Sequence, residues 1–156
     1  MRIFILEDSP VRIATFRRKL IGHDLTIAES AQQAINTMRA ARDVETRSSR
    51  FDLIFLDHDL GGEEMVGTEG ANTGSEVVRW MALEMGVCPT IVVHSLNAPA
   101  ATYMIMKLTK AGFDCHYIPF TTLNGKLDDP NFITPVDECP ECGGFVGAND
   151  HVCPFE

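Results

Sequence analysis

The sequence predicts an α/β domain built on a doubly wound, five-stranded parallel sheet and followed by a small appendage. Three observations lead there. Short apolar, β-rich runs alternate with longer segments of helical periodicity as far as residue 120, the pattern of repeated βα units. The run Asp52–Leu56 is apolar without alternation, as a central strand covered on both faces requires. A chain of 156 residues with 45% hydrophobic and 22% charged side chains can pack one core and a minor addition, but not two cores.

Arg2 to Leu6 reads as the first strand. Ser9-Pro10 then supplies a cap and a first-turn proline for a helix reaching about Ile21, with Val11, Ala14, Phe16 and Leu20 as its expected buried stripe. Asp24 to Ala28 is the second strand, and Ser30 opens a helix in which Ala31, Ala34, Ile35 and Met38 recur at helical spacing. Arg39 to Arg50 is polar and expected to fray into a loop. The third strand, Asp52–Leu56, delivers Asp57.

From His58 to Gly74 the chain carries five glycines and four acids without periodicity, so it is read as a long loop. The run Gly61 to Gly74 is expected to act as a lid over the strand ends. Gly74-Ser75 begins a helix carrying Val77, Val78, Met81 and Leu83, and Pro89 introduces the fourth strand, Thr90–Val93. A helix from about Pro99 to Ala111 ends at Gly112, expected to be a left-handed cap. Phe113–Ile118 is the fifth strand, and Pro119 stops it. Asn124-Gly125 and Asp129-Pro130-Asn131 read as turns. The division is therefore 1–120 for the α/β domain, 121–135 for a linker and 136–156 for a cysteine-rich tail.

With 22 acidic against 13 basic residues the formal net charge is −9, which argues against an extended nucleic-acid surface or binding to anionic membranes. The opening apolar run is too short for a signal peptide or a span, so a cytoplasmic protein is expected.

Open parallel sheets bind ligands beyond the carboxyl ends of their strands. That edge collects Glu7 and Asp8, then Asp57, His58 and Asp59, then His94, Ser95 and Asn97. Several carboxylates with one or two imidazoles make a hard, oxygen-rich site suited to Mg²⁺ or Mn²⁺.

In the tail, Cys139-Pro140-Glu141-Cys142-Gly143-Gly144 has the form of a zinc-knuckle turn. His151 and Cys153 complete a Cys₃His shell for one Zn²⁺, with His116, Cys115 or a second chain as other sources of the fourth ligand. Such a shell would fasten a segment too small for its own core. Dimerisation through it is one arrangement this reading admits.

Ile3-Phe4-Ile5-Leu6-Glu7-Asp8-Ser9-Pro10, Asp52-Leu53-Ile54-Phe55-Leu56-Asp57, Pro89 to Val93, and Gly112 through Pro119-Phe120 together resemble the receiver domains of two-component signalling, whose sheet is flavodoxin-like. The resemblance implies that Glu7, Asp8 and Asp57 hold Mg²⁺ and that Asp57 stands at the phosphoacceptor position. His94 replaces the switch Thr or Ser, and Ile118 replaces the lysine that contacts the phosphoryl group. Leu56-Asp57-His58-Asp59-Leu60-Gly61, Thr73 to Trp80, and His94-Ser95-Leu96-Asn97 are similar to a divergent group, the cyclic-phosphate-processing receiver domains.

That group implies a metal-dependent phosphohydrolase, or a phosphate-ligand protein, acting on cyclic or terminal phosphates of a small ligand or cyclic nucleotide. In this scheme Glu7, Asp8, Asp57 and Asp59 hold the metal, and His94 is the general acid. His58 is ligand or second base, and Ser95 and Asn97 donate hydrogen bonds to the phosphate. Arginine is scarce near these strand ends, so neutralising the phosphate would fall to the metal. The alternatives are a stand-alone receiver phosphorylated on Asp57 and a non-catalytic nucleotide- or protein-binding module.

Overall fold

A computed structural model describes residues 1–43, 50–85, 89–129 and 131–132. The cysteine tail, with Cys139, Cys142, His151 and Cys153, lies outside the described residues. Ten elements alternate along the chain: β1 (Arg2–Leu6), α1 (Pro10–Lys19), β2 (Asp24–Ala28), α2 (Ala31–Asp43), β3 (Leu53–Leu56), α3 (Gly74–Glu84), β4 (Thr90–Val93), α4 (Ala98–Lys110), β5 (Cys115–Tyr117) and α5 (Phe120–Lys126). The strands form one parallel sheet in the order β2-β1-β3-β4-β5, the flavodoxin-like arrangement, whose strand order reverses between β1 and β3.

Alternation along each strand feeds two cores. Phe4, Leu6, Ile54, Leu56, Ile91 and Val93 face α2, α3 and α4, and pack against Met38, Val78, Met81, Met104 and Leu108. Ile3, Ile5, Leu53, Phe55 and Val92 face the other way, toward Phe16 of α1 and Leu20 just after it, and Leu123 of α5 and Leu127 just after it. Burial on both faces explains why β1, β3 and β4 read as unbroken apolar runs.

Several elements differ from expectation in detail. In α1 the buried stripe is Ile13, Phe16 and then Leu20; Val11 is 76% exposed and Ala14 also faces solvent. Leu83, expected inside, is 85% exposed. Ser9 makes no side-chain cap, and its backbone N–H instead donates to Glu7 Oε1 at 2.9 Å. Gly112 does take the left-handed conformation, at φ +88°.

The largest difference is α5, which stands where turns and a linker were expected. Phe120, Leu123 and Leu127 recur at helical spacing and cover the second core, while Asn124-Gly125 is absorbed inside the helix. Among the described residues, α1 and α5 are the helices that cover that face. Lys19 Nζ reaches Asp128 Oδ2 at 2.7 Å and ties the end of α1 to the end of α5. Phe132 also packs on this core, so the compact body runs past residue 120. Among the described residues no helix is long and apolar enough to cross a membrane.

Candidate functional site

The sheet ladder extends one residue beyond β1, β3 and β4. Glu7 N–H donates to Ala28 O, Asp57 N–H to Leu6 O, and His94 N–H to Leu56 O, at 2.9 to 3.0 Å. Glu7, Asp57 and His94 therefore stand side by side at the carboxyl edge, one on each of three neighbouring strands. Strand parity decides where they point. Leu6, Leu56 and Val93 face α2–α4, so the next residue on each strand faces α1 and α5.

The three side chains are buried, and their ligand atoms lie within 4.8 Å of one another. Arg12, from the first turn of α1, lies over them: Nε is 3.1 Å from Glu7 Oε2, and Nη2 is 2.8 Å from Asp57 Oδ2. These are ion-pair distances, yet the N–H bonds are poorly aimed, and neither oxygen receives a well-formed hydrogen bond from the described residues. The other oxygens are satisfied by the backbone, Asp57 Oδ1 by His58 N–H at 2.7 Å and Glu7 Oε1 by Ser9. Burial, then the charge of Asp57, pushes the Glu7 carboxyl up to about 7, against the opposing pull of Ser9 N–H and Arg12.

His94 departs from its expected role. It is fully buried against Phe16, Phe55 and Phe120, and neither ring nitrogen has a hydrogen-bond partner among the described residues. Burial lowers its pKa to about 4, outweighing the attraction of Asp57. A ring that is neutral at pH 7 and absent from the cleft wall is unsuited to protonating a leaving group. Its Nδ1 lies 3.8 Å from Glu7 Oε2, beyond hydrogen-bond range.

His58, one residue beyond Asp57, faces the opposite layer by the same parity. Nδ1 accepts from the Ser75 N–H at 3.3 Å, and Nε2 lies 3.0 Å from Val66 O. Both nitrogens are engaged in joining α3 to the loop, and the residue is buried, so the structure does not bring it to the reacting edge as a base. Gly74 seals this junction. A Cβ there would lie 2.0 Å from Asp57 O, and Gly74 N–H donates to His58 O at 2.9 Å.

Asp59, Ser95 and Asn97 are likewise occupied by the scaffold. The Asp59 carboxylate accepts from Met65 N–H, Val66 N–H and Asn97 Nδ2 at 2.9 to 3.0 Å. Asn97 also caps α4 through Ala100 N–H and donates to Val66 O. Ser95 Oγ accepts from Asn97 N–H. Their donors serve the loop 58–74, whose ends meet in an antiparallel bridge between Asp59 and Thr73. From α3, Arg79 clamps the loop carbonyls of Thr68 and Gly70. Asp8 holds the loop from the other side, accepting from Gly62 N–H at 2.8 Å.

Above the buried group opens a cleft of about 560 Å³, lined by Asp8, Arg12, Asp57 and Asp59, with Glu63 and Glu64 from the loop. Val11, Met65 and Leu96, all largely exposed, stand among its other walls. The loop thus walls the cleft rather than spanning it. Arg12 is the functional residue that sequence reasoning missed. Its signal lay in the first turn of α1: a cation three residues after the Ser9-Pro10 start sits beside the end of β1.

A family model described as the cyclic-phosphate processing receiver domain matches residues 2–110. No curated protein matches. Among solved structures, the Mn²⁺-bound form of the response regulator Rcp1 is similar at 18% identity and a TM-score of 0.53, over 81% of this chain and 88% of that one. The response regulator TrrA from Thermotoga maritima, in complex with Mg²⁺-BeF, is similar at 17% identity and a TM-score of 0.51, over 85% and 98%. The receiver domain of an HD domain-containing protein from Pseudomonas fluorescens gives 15% and 0.50, over 81% and 86%. At these identities the likeness is one of fold.

Proposed function

The chain belongs to the cyclic-phosphate processing receiver domain family, and from that premise we propose that its cleft holds a small phosphorylated ligand beside a divalent cation and hydrolyses a cyclic or terminal phosphate in it. The observation that carries this reading is the buried Glu7–Asp57–His94 group, whose Asp57 also lines an acid-walled cleft. Two buried carboxylate oxygens without a well-formed hydrogen bond, with a third carboxylate at Asp8, form a hard donor set that fits Mg²⁺ or Mn²⁺. The metals named for Rcp1 and TrrA agree with that choice.

When bound, such an ion polarises a phosphoryl oxygen and acidifies water. The protein's own part is orientation and charge. Asp57 is fixed by His58 N–H and Glu7 by Ser9 N–H, so both carboxylates are held in place for an ion. Arg12 supplies a cation at the cleft that Ile118 cannot. The loop wall, carried on Asp59, Asn97 and Arg79, limits which ligands enter.

Turnover of a panel of cyclic and linear phosphodiesters is expected to require added Mg²⁺ or Mn²⁺ and to fall about a hundredfold or more in Asp57→Asn and Glu7→Gln. Binding without turnover by the folded, metal-loaded protein would instead make it a sensing module. The receiver alternative gains one specific support, because Arg12 places a guanidinium on Asp57 where the lysine is absent; a stable acyl phosphate on Asp57 after treatment with a small phosphodonor would establish it. The second metal proposal is one Zn²⁺ held by Cys139, Cys142, His151 and Cys153, checked by one equivalent of zinc per chain that is lost when Cys139 and Cys142 are replaced by serine.

A further inference from the structure

Building on the metal-and-phosphate reading of this cleft, we propose that Arg12 is an internal counter-cation that a divalent ion displaces, and that the released guanidinium becomes the phosphate-holding cation of the cleft. Four observations carry it. Arg12 spans the two carboxylate oxygens that the metal reading requires, at 3.1 and 2.8 Å. It holds them by charge rather than by directed hydrogen bonds, since both oxygens lack a well-aimed donor among the described residues; directed, bidentate contacts are the ones expensive to break. The Arg12 side chain is 20% exposed and already lines the cleft, so leaving the carboxylates carries the guanidinium toward the ligand instead of through the core. It rests over the Phe120 ring, 5.6 Å from the centroid, a soft platform on which a planar cation can slide.

Charge makes the exchange coherent. A guanidinium and a divalent ion seated on the same two oxygens repel one another, so one must yield. The group that yields is then beside a metal-bound dianion, which attracts it. One side chain thus keeps two buried acids compatible before the metal arrives and recognises the ligand afterwards, coupling the two binding steps.

The full-length protein, its Arg12→Gln and Arg12→Lys variants, and an Arg17→Gln control on the exposed face of α1 would be titrated with Mn²⁺ and followed by the spectrum of the free ion. Arg12→Gln is expected to bind Mn²⁺ about tenfold tighter or more, with Arg12→Lys and Arg17→Gln near wild type. In the wild type, Mg²⁺ should shift the Arg12 Nε–H resonance of the ¹⁵N-labelled protein. Inorganic phosphate should bind the Mg²⁺-loaded wild type about tenfold better than either Arg12 variant.

Equal Mn²⁺ affinity in wild type and Arg12→Gln, an equal gain in Arg17→Gln, or undiminished phosphate binding without Arg12 would overturn the exchange while leaving the metal reading intact. Absence of Mn²⁺ binding by the wild type would overturn both. Arg12→Lys keeps the charge on the buried acids, so the phosphate arm remains decisive even if Arg12→Gln is poorly folded.

Discussion

Two buried titratable groups at the site have shifts of opposite sign, and their sum hides both. Glu7 is raised from 4.5 to about 7, and His94 is lowered from 6.5 to about 4. Between pH 4.5 and 6.5 the folded protein keeps a proton on Glu7 and none on His94, whereas the unfolded chain does the reverse. The proton count is equal, so the pair adds no pH dependence to stability in that window. Each variant exposes the other arm. Glu7→Gln leaves His94, whose stabilising neutral form is lost as pH falls from 6.5 toward 4. His94→Gln leaves Glu7, whose contribution is lost as pH rises from 4.5 toward 7. Each tilt should be on the order of 2 to 3 kcal/mol. Urea midpoints of metal-free protein at pH 4.5, 5.5 and 6.5 check this, and variants that simply parallel the wild type would refute it. The acids at the strand ends were legible in the sequence because a strand's carboxyl end is where a parallel sheet binds. The roles of His58 and His94 were not, because strands buried on both faces read as unbroken apolar runs and carry no alternation to show which layer the next residue enters.

At the scale of elements, the junction of β3 with α3 is the most tightly specified. Gly74→Ala puts a methyl group against Asp57 O, a backbone atom that cannot rotate away. The helix start must shift, and a loss of about 2 kcal/mol or more in urea unfolding is expected. Thr73 caps α3 by accepting from Glu76 N–H, while Glu76 Oε2 accepts from Asn72 N–H at 2.7 Å; Thr73→Ala should cost about 1 kcal/mol in the same assay. Helices with caps and apolar stripes, such as α2 and α3, were readable because local rules and tertiary burial agree there. α5 was not, because Asn124-Gly125 is a strong local turn signal that burial of Leu123 and Leu127 overrides. Leu123→Ala should therefore destabilise the whole domain by about 2 to 5 kcal/mol, whereas a residue in a linker would be nearly silent.

For the molecule as a whole, the sheet sets the site and the helices set its chemistry. Two faces, buried by α1 with α5 and by α2 with α3 and α4, force residues that follow one another in sequence to serve different layers. Asp57 belongs to the cleft and His58 to the scaffold for that reason alone. The cleft that results is walled by Asp8, Asp57, Asp59, Glu63 and Glu64 around Arg12, in a chain of net charge −9. Such a field draws cations in and turns anions away over a Debye length of about 8 Å at physiological salt. A phosphorylated ligand approaching the metal-free protein should therefore associate faster as ionic strength rises, the reverse of ordinary electrostatic steering, and stopped-flow mixing would show the sign directly. The acid rim makes the order of arrival a matter of diffusion as well as affinity: the ion comes first because the approach is downhill for it alone.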